Sequence, residues 1–192
     1  IDVYDNGKPK RNNIWVDAKS KNTFTFDSSK TPDLININAD GILLSDITET
    51  KTPEQNLLQF TNSKEFLSRY RALDSVKEAD AKNPAVIKLL AAALKDPFFR
   101  IREQALAQMD LSNADQAKAL TADIEKLASN DPKTLVQAAA ISALSKTKNA
   151  KYASLYEKGI NAVSNAVKGA SLAGIADTDP SKVAALADKV DL

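Results

Sequence analysis

A serine and a lysine three residues apart form the first motif with possible chemistry. Ser145-Lys146-Thr147-Lys148 matches S-x-x-K, a spacing in which a lysine can activate a serine nucleophile. The lysine of such a pair must be desolvated to lose its proton, but this motif lies at the polar end of a predicted helix, with Asn149 beyond it. We therefore interpret it as a solvated helix end.

A second motif has the spacing of a calcium-binding loop. Asn36-Ile37-Asn38-Ala39-Asp40-Gly41 resembles the opening of an EF-hand, but the twelfth position is Ile47, where a bidentate Glu is required. The flanking residues also alternate as strands do. We interpret the motif as a strand that runs into an Asp-Gly turn.

Four arginines are the candidate binding residues, because they occupy near-equivalent places in an internal repeat. They are Arg69, Arg71, Arg100 and Arg102. The planar guanidinium binds carboxylates through two parallel hydrogen bonds, so one hypothesis is a surface that contacts an anion or a peptide carboxylate. The alternative, which we favour, is that they form salt bridges between repeats. Candidate partners are Asp74, Asp96 and Glu103.

The composition excludes most catalytic sites. The chain has no His and no Cys, which removes Ser-His-Asp triads, Cys-His dyads and most zinc sites. We therefore assign no catalytic, cofactor-binding or metal-binding residue to it. A mechanism built only on Asp and Glu is the one enzymatic alternative that composition leaves open.

Charge and hydropathy argue against two classes of partner. The 26 basic and 25 acidic residues nearly cancel, so we expect neither nucleic acid nor an anionic membrane as partner. No apolar run approaches the roughly 20 residues that span a bilayer. The chain begins at Ile1 with no visible signal peptide, and we expect it to be a fragment or a processed product.

Alanine content divides the chain near Thr52. Residues 1–52 contain two alanines and the remainder contains 28, and Ala is the best helix former. We predict a sandwich-like β segment over 1–51, either the truncated end of a larger β-sandwich or a small sheet complete in itself, and a HEAT-like helical repeat domain over 52–192. Alternation of β-branched and aromatic residues predicts five strands. They cover 1–5, 12–18, 22–27, 33–39 and 41–47, with tight turns at Asn6-Gly7 and Asp40-Gly41.

Helix starts are marked by prolines that follow a capping residue, which is the expected order of N-cap and first helical residue. The five pairs are Thr52-Pro53, Asn83-Pro84, Asp96-Pro97, Asp131-Pro132 and Asp179-Pro180. Amphipathic spacing predicts helices over 84–95, 113–129 and about 150–157, and a final apolar face at Val183, Leu186, Ala187 and Val190. We expect Trp15, Tyr70, Phe98 and Phe99 to lie in the core or between sheet and helices. Gly159, Gly169 and Gly174 suggest tight packing or a weakened helix.

Four nine-residue segments align without gaps and form an internal repeat. They are 68–76, 101–109, 136–144 and 167–175, with starts 33, 35 and 31 residues apart. The fifth position is small and the sixth is apolar in each. Paired helices with a period in the thirties indicate an α-solenoid, so the predicted fold is mainly α, an α-α superhelix of HEAT-like helix pairs preceded by a small antiparallel β segment. A generic helical bundle explains the same spacing.

The stretch Asp96-Pro97-Phe98-Phe99-Arg100-Ile101-Arg102 resembles the second helix of a HEAT repeat. The order of all parts resembles the C-terminal region of bacterial zinc metallopeptidases of the aminopeptidase N family. Residues 34–44, Lys51-Thr52-Pro53-Glu54 and the helix over 66–73 carry that resemblance, followed by helix pairs to the end. In that family a β-sandwich follows the catalytic domain and a helical domain follows the sandwich.

The resemblance implies an accessory role. The family's motifs H-E-x-x-H and G-x-M-E-N do not occur in this chain, so no catalytic or zinc-binding residue is carried over. Zinc is expected in an upstream catalytic domain of the same polypeptide. The helical domain is expected to cover the active-site cavity, and Arg100 or Arg102 to contact a peptide substrate. The alternative is a stand-alone HEAT-repeat scaffold that binds a protein or peptide.

Overall fold

The computed structural model describes residues 1–19, 21–28 and 30–187. It divides into two compact units, Ile1–Glu78 and Ala79–Leu192. The first two helices therefore group with the sheet, although alanine content changes already at Thr52. The described part is mainly helical and contains a small antiparallel sheet, as predicted.

The first unit contains three strands and two helices. The strands are β1 (Asp2–Asp5), β2 (Lys8–Arg11) and β3 (Leu34–Asn36), in the order β2-β1-β3 and antiparallel throughout; the helices are α1 (Pro53–Asn62) and α2 (Phe66–Asp74). Asn6 and Gly7 both have positive φ, 51° and 72°, which is the geometry of the tight turn predicted there; this turn joins β1 to β2.

Three of the five predicted strands do not form. Residues 12–18, 22–27 and 41–47 are irregular in the described part of the chain, and β2 was not predicted. A strand needs a neighbour with free backbone groups. Both sides of β1 are occupied, and Pro9 removes a donor from β2. Side chains bond the backbone at both ends of β3, because Glu49 accepts from the Ile37 N–H at 3.3 Å and Gln55 donates to the Asp33 carbonyl at 3.2 Å.

One face of the sheet packs on the helices of the same unit. Tyr4 and Leu34 pair across β1 and β3, and both are buried. A buried polar cluster continues this contact: Asn36 Nδ2 donates to Ser68 Oγ at 3.2 Å, and Gln59 Nε2 donates to the Ser68 carbonyl at 2.8 Å. Buried polar groups are tolerated when they are paired in this way. The sheet is therefore tied to α1 and α2 by both apolar and polar contacts.

The second unit is entirely helical within its described residues. Its helices are α3 (Pro84–Ala93), α4 (Phe99–Gln108), α5 (Ala114–Asn130), α6 (Thr134–Ser145), α7 (Ala153–Gly159), α8 (Asn165–Thr178) and α9 (Val183–Ala187), with 3-10 turns at Ala150–Tyr152 and Pro180–Lys182. Helix α6 contacts α4, α5 and α8, and α3 contacts α4 and α5. Of the final apolar face, Val190 lies outside the described residues. No helix in the described ranges has the length and apolar character that crossing a bilayer requires.

Two of the predicted caps are confirmed by hydrogen bonds. Thr52 Oγ1 accepts from the Gln55 N–H, and the Gln55 side chain accepts from the Thr52 N–H, which completes a capping box. Asn83 Oδ1 accepts from the Ala85 N–H at 2.7 Å. Caps of this kind contribute about 1 kcal/mol each.

The two aspartate caps predicted for α4 and α6 are wrong in position. These helices begin two residues after the prolines, and the carboxylates of Asp96 and Asp131 accept from the N–H of Phe98 and Lys133, both at 2.8 Å. This is an Asx turn, which forms before the helix rather than at its first residue. Asp179 precedes a 3-10 turn instead of an α-helix.

The four aligned segments lie on equivalent helices. They fall on α2, α4, α6 and α8, and their fifth residues are completely buried. Those residues are Ala72, Ala105, Ala140 and Ser171. A small side chain at this position allows neighbouring helices to approach closely, because a longer one has no room. The sequence repeat is therefore matched by a repeated packing position.

Tyr156 is a buried tyrosine without a partner for its hydroxyl among the described residues. Burial raises its pKa to about 12. Because the folded state holds this proton more tightly, the protein loses stability as pH rises above the ordinary tyrosine pKa of about 10. The loss from Tyr156 reaches about 1.4 kcal/mol at pH 11.

We expect Tyr156→Phe to change the free energy of unfolding little at pH 7, or to raise it slightly, because an unpaired buried hydroxyl contributes no hydrogen bond. Between pH 9 and pH 11 the variant should lose less stability than the wild type. Urea denaturation at a series of pH values measures both quantities. If the free energy of unfolding falls equally steeply with pH for both proteins in that range, the hydroxyl of Tyr156 is not buried.

Candidate functional site

The most deeply buried ion pair of the described residues joins two successive helix pairs. Arg102 on α4 donates from Nε to Asp131 Oδ2 at 2.7 Å and from Nη2 to Asp131 Oδ1 at 2.9 Å. The side chains are only 10% and 2% exposed. Asp131 precedes α6, 29 residues further along the chain. The pair is therefore a bidentate link between α4 and the turn that precedes α6.

The third nitrogen of Arg102 is also engaged. Nη1 donates to the carbonyl of Asp96 at 2.7 Å and to that of Pro97 at 3.3 Å. The whole guanidinium is thus bonded on every nitrogen, and it ties the turn before α4 to the turn before α6. A ligand that approached Arg102 would first have to break these bonds.

The bond to a carbonyl six residues earlier recurs in other repeats. The second positions of the first three aligned segments are Arg69, Arg102 and Gln137. Arg69 Nη1 lies 3.5 Å from the Ser63 carbonyl and also donates to the Lys64 carbonyl, while Gln137 Nε2 donates to the Asp131 carbonyl at 2.7 Å. The same position therefore anchors the start of the helix in each case.

Gln137 stands in the third aligned segment where the second segment has Arg102. The acid that an arginine there would bond is also missing. The offset of 31 residues to the last segment places Ala162 where Asp131 stands one repeat earlier. Gln137 keeps the bond to the backbone carbonyl. The cation and the acid of the ion pair are both absent at the aligned positions. The ion pair of Arg102 with Asp131 could have been found from the alignment of the four segments, because Gln137 and Ala162 stand at the corresponding positions.

The other candidate arginines have different surroundings. Arg100 projects from another side of α4, where Nη1 bonds Glu103 Oε2 at 2.8 Å and the guanidinium carbon lies 5.0 Å from the centre of the Phe99 ring. Its side chain is 55% exposed. Arg71 is half-buried, and no ion pair to it is found within the described residues. Arg69 and Arg71 belong to the first unit and Arg100 and Arg102 to the second. Their role as an anion-contacting set stays a prediction.

No protein-family model, curated protein or solved structure matches this chain at a significant level.

Of the two motifs that resemble chemical sites, the S-x-x-K motif is only partly solvated. Ser145 ends α6, is buried, and donates from its hydroxyl to the Ser142 carbonyl at 3.0 Å, so it differs from the solvated residue that was predicted. Lys148 is exposed, with a φ of 51°. In the other motif, Gly41 has a φ of 67° in a turn after β3, and Asp40 is bonded to Arg11. Within the ranges that the structure describes, no group of three or more His, Cys, Asp or Glu side chains is placed to hold a metal ion.

Two grooves, one in each unit, are balanced in charge among their described residues. The groove of the second unit, about 310 Å³, lies beside α3 and α5, and its Lys95 bonds Asp123 at 2.9 Å. The groove of the first unit, about 420 Å³, follows the outer edge of β3. Its Lys51 bonds Glu49 at 2.6 Å and Gln59 at 2.7 Å. Neither groove presents an unpaired buried charge to a ligand.

Exposed apolar side chains of the first unit are the feature that sequence reasoning missed. Trp15 is 85% exposed, so its predicted place in the core is wrong; Ile42 is 83% and Leu44 101% exposed. Tyr70 and Phe98 are each 39% exposed, and Phe99 is half-buried. The signal in the sequence was the unbroken run Ile42-Leu43-Leu44, which does not alternate as a strand with one buried face does.

Proposed function

We propose that this chain is a non-catalytic C-terminal accessory region of an aminopeptidase N-like zinc metallopeptidase. In this role it covers the cavity of an upstream catalytic domain of the same polypeptide and shapes the access of peptides. The observation that carries the proposal is the repeated bond from Arg69, Arg102 and Gln137 to the carbonyl six residues earlier. It supports a succession of HEAT-like pairs after a small sheet, which is the order of parts in that family.

A repeat stack suits the role of a cover because each unit contacts its neighbours over a continuous core. The buried link from Arg102 to Asp131 fixes the register of two successive pairs, so the surface beside them is held in one shape. Zinc and the catalytic groups belong, in this proposal, to the upstream domain. Among the arginines of α4, Arg100 is the one with exposed donors for a peptide carboxylate.

The test is to read and express the complete coding sequence. We expect H-E-x-x-H, a downstream Glu and G-x-M-E-N upstream of Ile1, bound zinc, and aminopeptidase activity that a chelator removes. Arg100→Ala should raise KM for peptides of eight or more residues and leave cleavage of a single-residue anilide unchanged, because only the longer substrate reaches beyond the catalytic domain. Lys118→Ala, at an exposed cation on α5, is the matched control.

A coding sequence without these motifs contradicts the proposal. The stand-alone scaffold then becomes the better explanation. In that case the chain should capture peptides by itself, and Arg100→Ala should weaken that binding while zinc has no effect.

A further inference from the structure

The turn between β1 and β2 holds the only Asn-Gly pair of the sequence, Asn6-Gly7. Such a pair can react with itself, because glycine has no side chain to hinder attack by its nitrogen on the preceding side-chain amide. Asn6 is exposed and Gly7 is half-buried, so water reaches the turn. The contacts around the pair therefore decide how fast the reaction proceeds.

The reaction is the loss of the Asn6 side-chain amide through a cyclic imide. The Gly7 nitrogen gives its proton to hydroxide, and its electron pair forms a bond with Asn6 Cγ. The Cγ–Nδ2 bond then breaks, and ammonia leaves with a proton taken from water. Water opens the succinimide ring at either carbonyl, which yields aspartate or isoaspartate at position 6. The net change consumes water and releases ammonia, without an oxidant or a reductant.

Two side chains that precede β3 hold the reacting groups. The Gly7 N–H donates to Asp33 Oδ2 at 2.8 Å, and Lys30 Nζ donates to Asn6 Oδ1 at 3.1 Å. Lys30 Nζ also donates to Asp33 Oδ1 at 3.3 Å. The ammonium lies at the oxygen on which negative charge develops during the attack, which favours the reaction. Restraint of the reaction must therefore act on the nitrogen, at Asp33.

The bond to Asp33 restrains the Gly7 nitrogen in two ways. Asn6 and Gly7 have the φ values of a type I′ turn, and the bond fixes the peptide between them in that orientation. Closure of the imide ring requires a different rotation about the Asn6 Cα–C bond. The attacking nitrogen is also an anion, and a carboxylate oxygen 2.8 Å away disfavours its formation. The Gly7 N–H and Lys30 hold the pKa of Asp33 below its usual range, so this carboxylate is charged at neutral pH.

We propose that Asn6-Gly7 is a latent modification site, at which the bond from the Gly7 N–H to Asp33 slows the conversion of Asn6 to isoaspartate in the folded chain. Loss of that bond releases the reaction. Isoaspartate adds a methylene group to the backbone of a two-residue turn. Conversion therefore disrupts the pairing of Asp5 with Lys8 that closes the hairpin.

Conversion of Asn6 is measured on the 192-residue chain at neutral pH, by mass spectrometry of the digested peptide that contains it. We expect Asp33→Ala to convert at least about 10-fold faster than the wild type, because the change removes a hydrogen bond to a charged group. In urea both unfolded proteins should convert at one rate, faster than the folded wild type. A folded wild type that converts as fast as the unfolded chain overturns the proposal.

The rate of Asp33→Ala can contradict the proposal in two further ways. An unchanged rate shows that the bond to Gly7 restrains nothing. A slower rate shows that Asp33 acts as the base that removes the Gly7 proton. Both results overturn the proposal.

Arg11→Ala is the matched control at the other end of the hairpin, where Arg11 bonds Asp2 and Asp40. It should leave the rate at Asn6 unchanged, and an acceleration equal to that of Asp33→Ala overturns the proposal, because general loosening of the sheet then explains both. If Asp33→Ala loses the sheet by circular dichroism, Asp33→Asn takes its place and keeps an acceptor oxygen. Its bond is weaker than that of a carboxylate, so a smaller acceleration is expected, and an unchanged rate contradicts the proposal.

Discussion

Asp131→Ala is expected to lower the free energy of unfolding by about 3–5 kcal/mol, because it leaves the buried guanidinium of Arg102 without its counter-charge. The substitution also removes the acceptor of the Lys133 N–H. Denaturant unfolding followed by circular dichroism measures the change. Arg102→Ala should have a similar effect, since it leaves the Asp131 carboxylate unpaired at 2% exposure.

The matched control for this pair is the exposed bridge on the same helix. Glu103→Ala removes the partner of Arg100, and we expect a loss below about 1 kcal/mol because both groups are solvated. The double substitution Arg102→Met with Asp131→Leu should recover most of the stability that either single change loses, because no buried charge remains. A loss below about 1 kcal/mol for Asp131→Ala would show that the pair is not desolvated.

Gly159→Ala is expected to destabilise the second unit by about 1–3 kcal/mol, the usual effect of inserting a methyl group into a filled core. A Cβ at this position would lie 2.0 Å from Ser171 Oγ and 2.9 Å from Ser171 Cβ. Ser171 Oγ can move aside by rotation about χ1, but Ser171 Cβ is fixed to the backbone, so α7 and α8 would have to shift apart. Thermal unfolding measures the loss, and Ser171→Gly in the same chain should restore part of it.

Gly169→Ala on α8 is the control with the opposite expected sign. A Cβ there meets no atom within 4 Å. Because Ala is a better helix former than Gly by about 1 kcal/mol, this change should stabilise the helix. Destabilisation by both substitutions to a similar extent would contradict the close approach of α7 and α8 at Gly159. Gly174 has a close neighbour too, since its Cβ would lie 2.9 Å from the Tyr156 ring.

Helices α1 to α6 and α8 could be predicted from sequence because their signals are local. Apolar residues with helical spacing, and prolines after polar residues, depend only on neighbours a few positions away. The first residue of α4 and α6 could not be predicted, because Asp96-Pro97 and Asp131-Pro132 fit both a cap and an Asx turn. At Asp131, both carboxylate oxygens are also bonded to Arg102, a residue far away in sequence.

The strands were predicted less well, because strand formation depends on residues that are far away in sequence. Alternation at 12–18 and 22–27 describes a residue preference, but a strand exists only where another strand offers its edge. The exposure of Trp15, Ile42 and Leu44 depends on which neighbours are present, which no local pattern contains.

The amino-acid sequence by itself determined the mainly helical fold with a small antiparallel sheet, and the lack of His and Cys, because these depend on residue type and short-range spacing. Tertiary structure decided which arginine is buried, which acid it bonds, and which glycines allow close packing. Each of these properties is a contact between residues at least twelve positions apart. Distant contacts of this kind are set by the packing of whole elements rather than by the local chain.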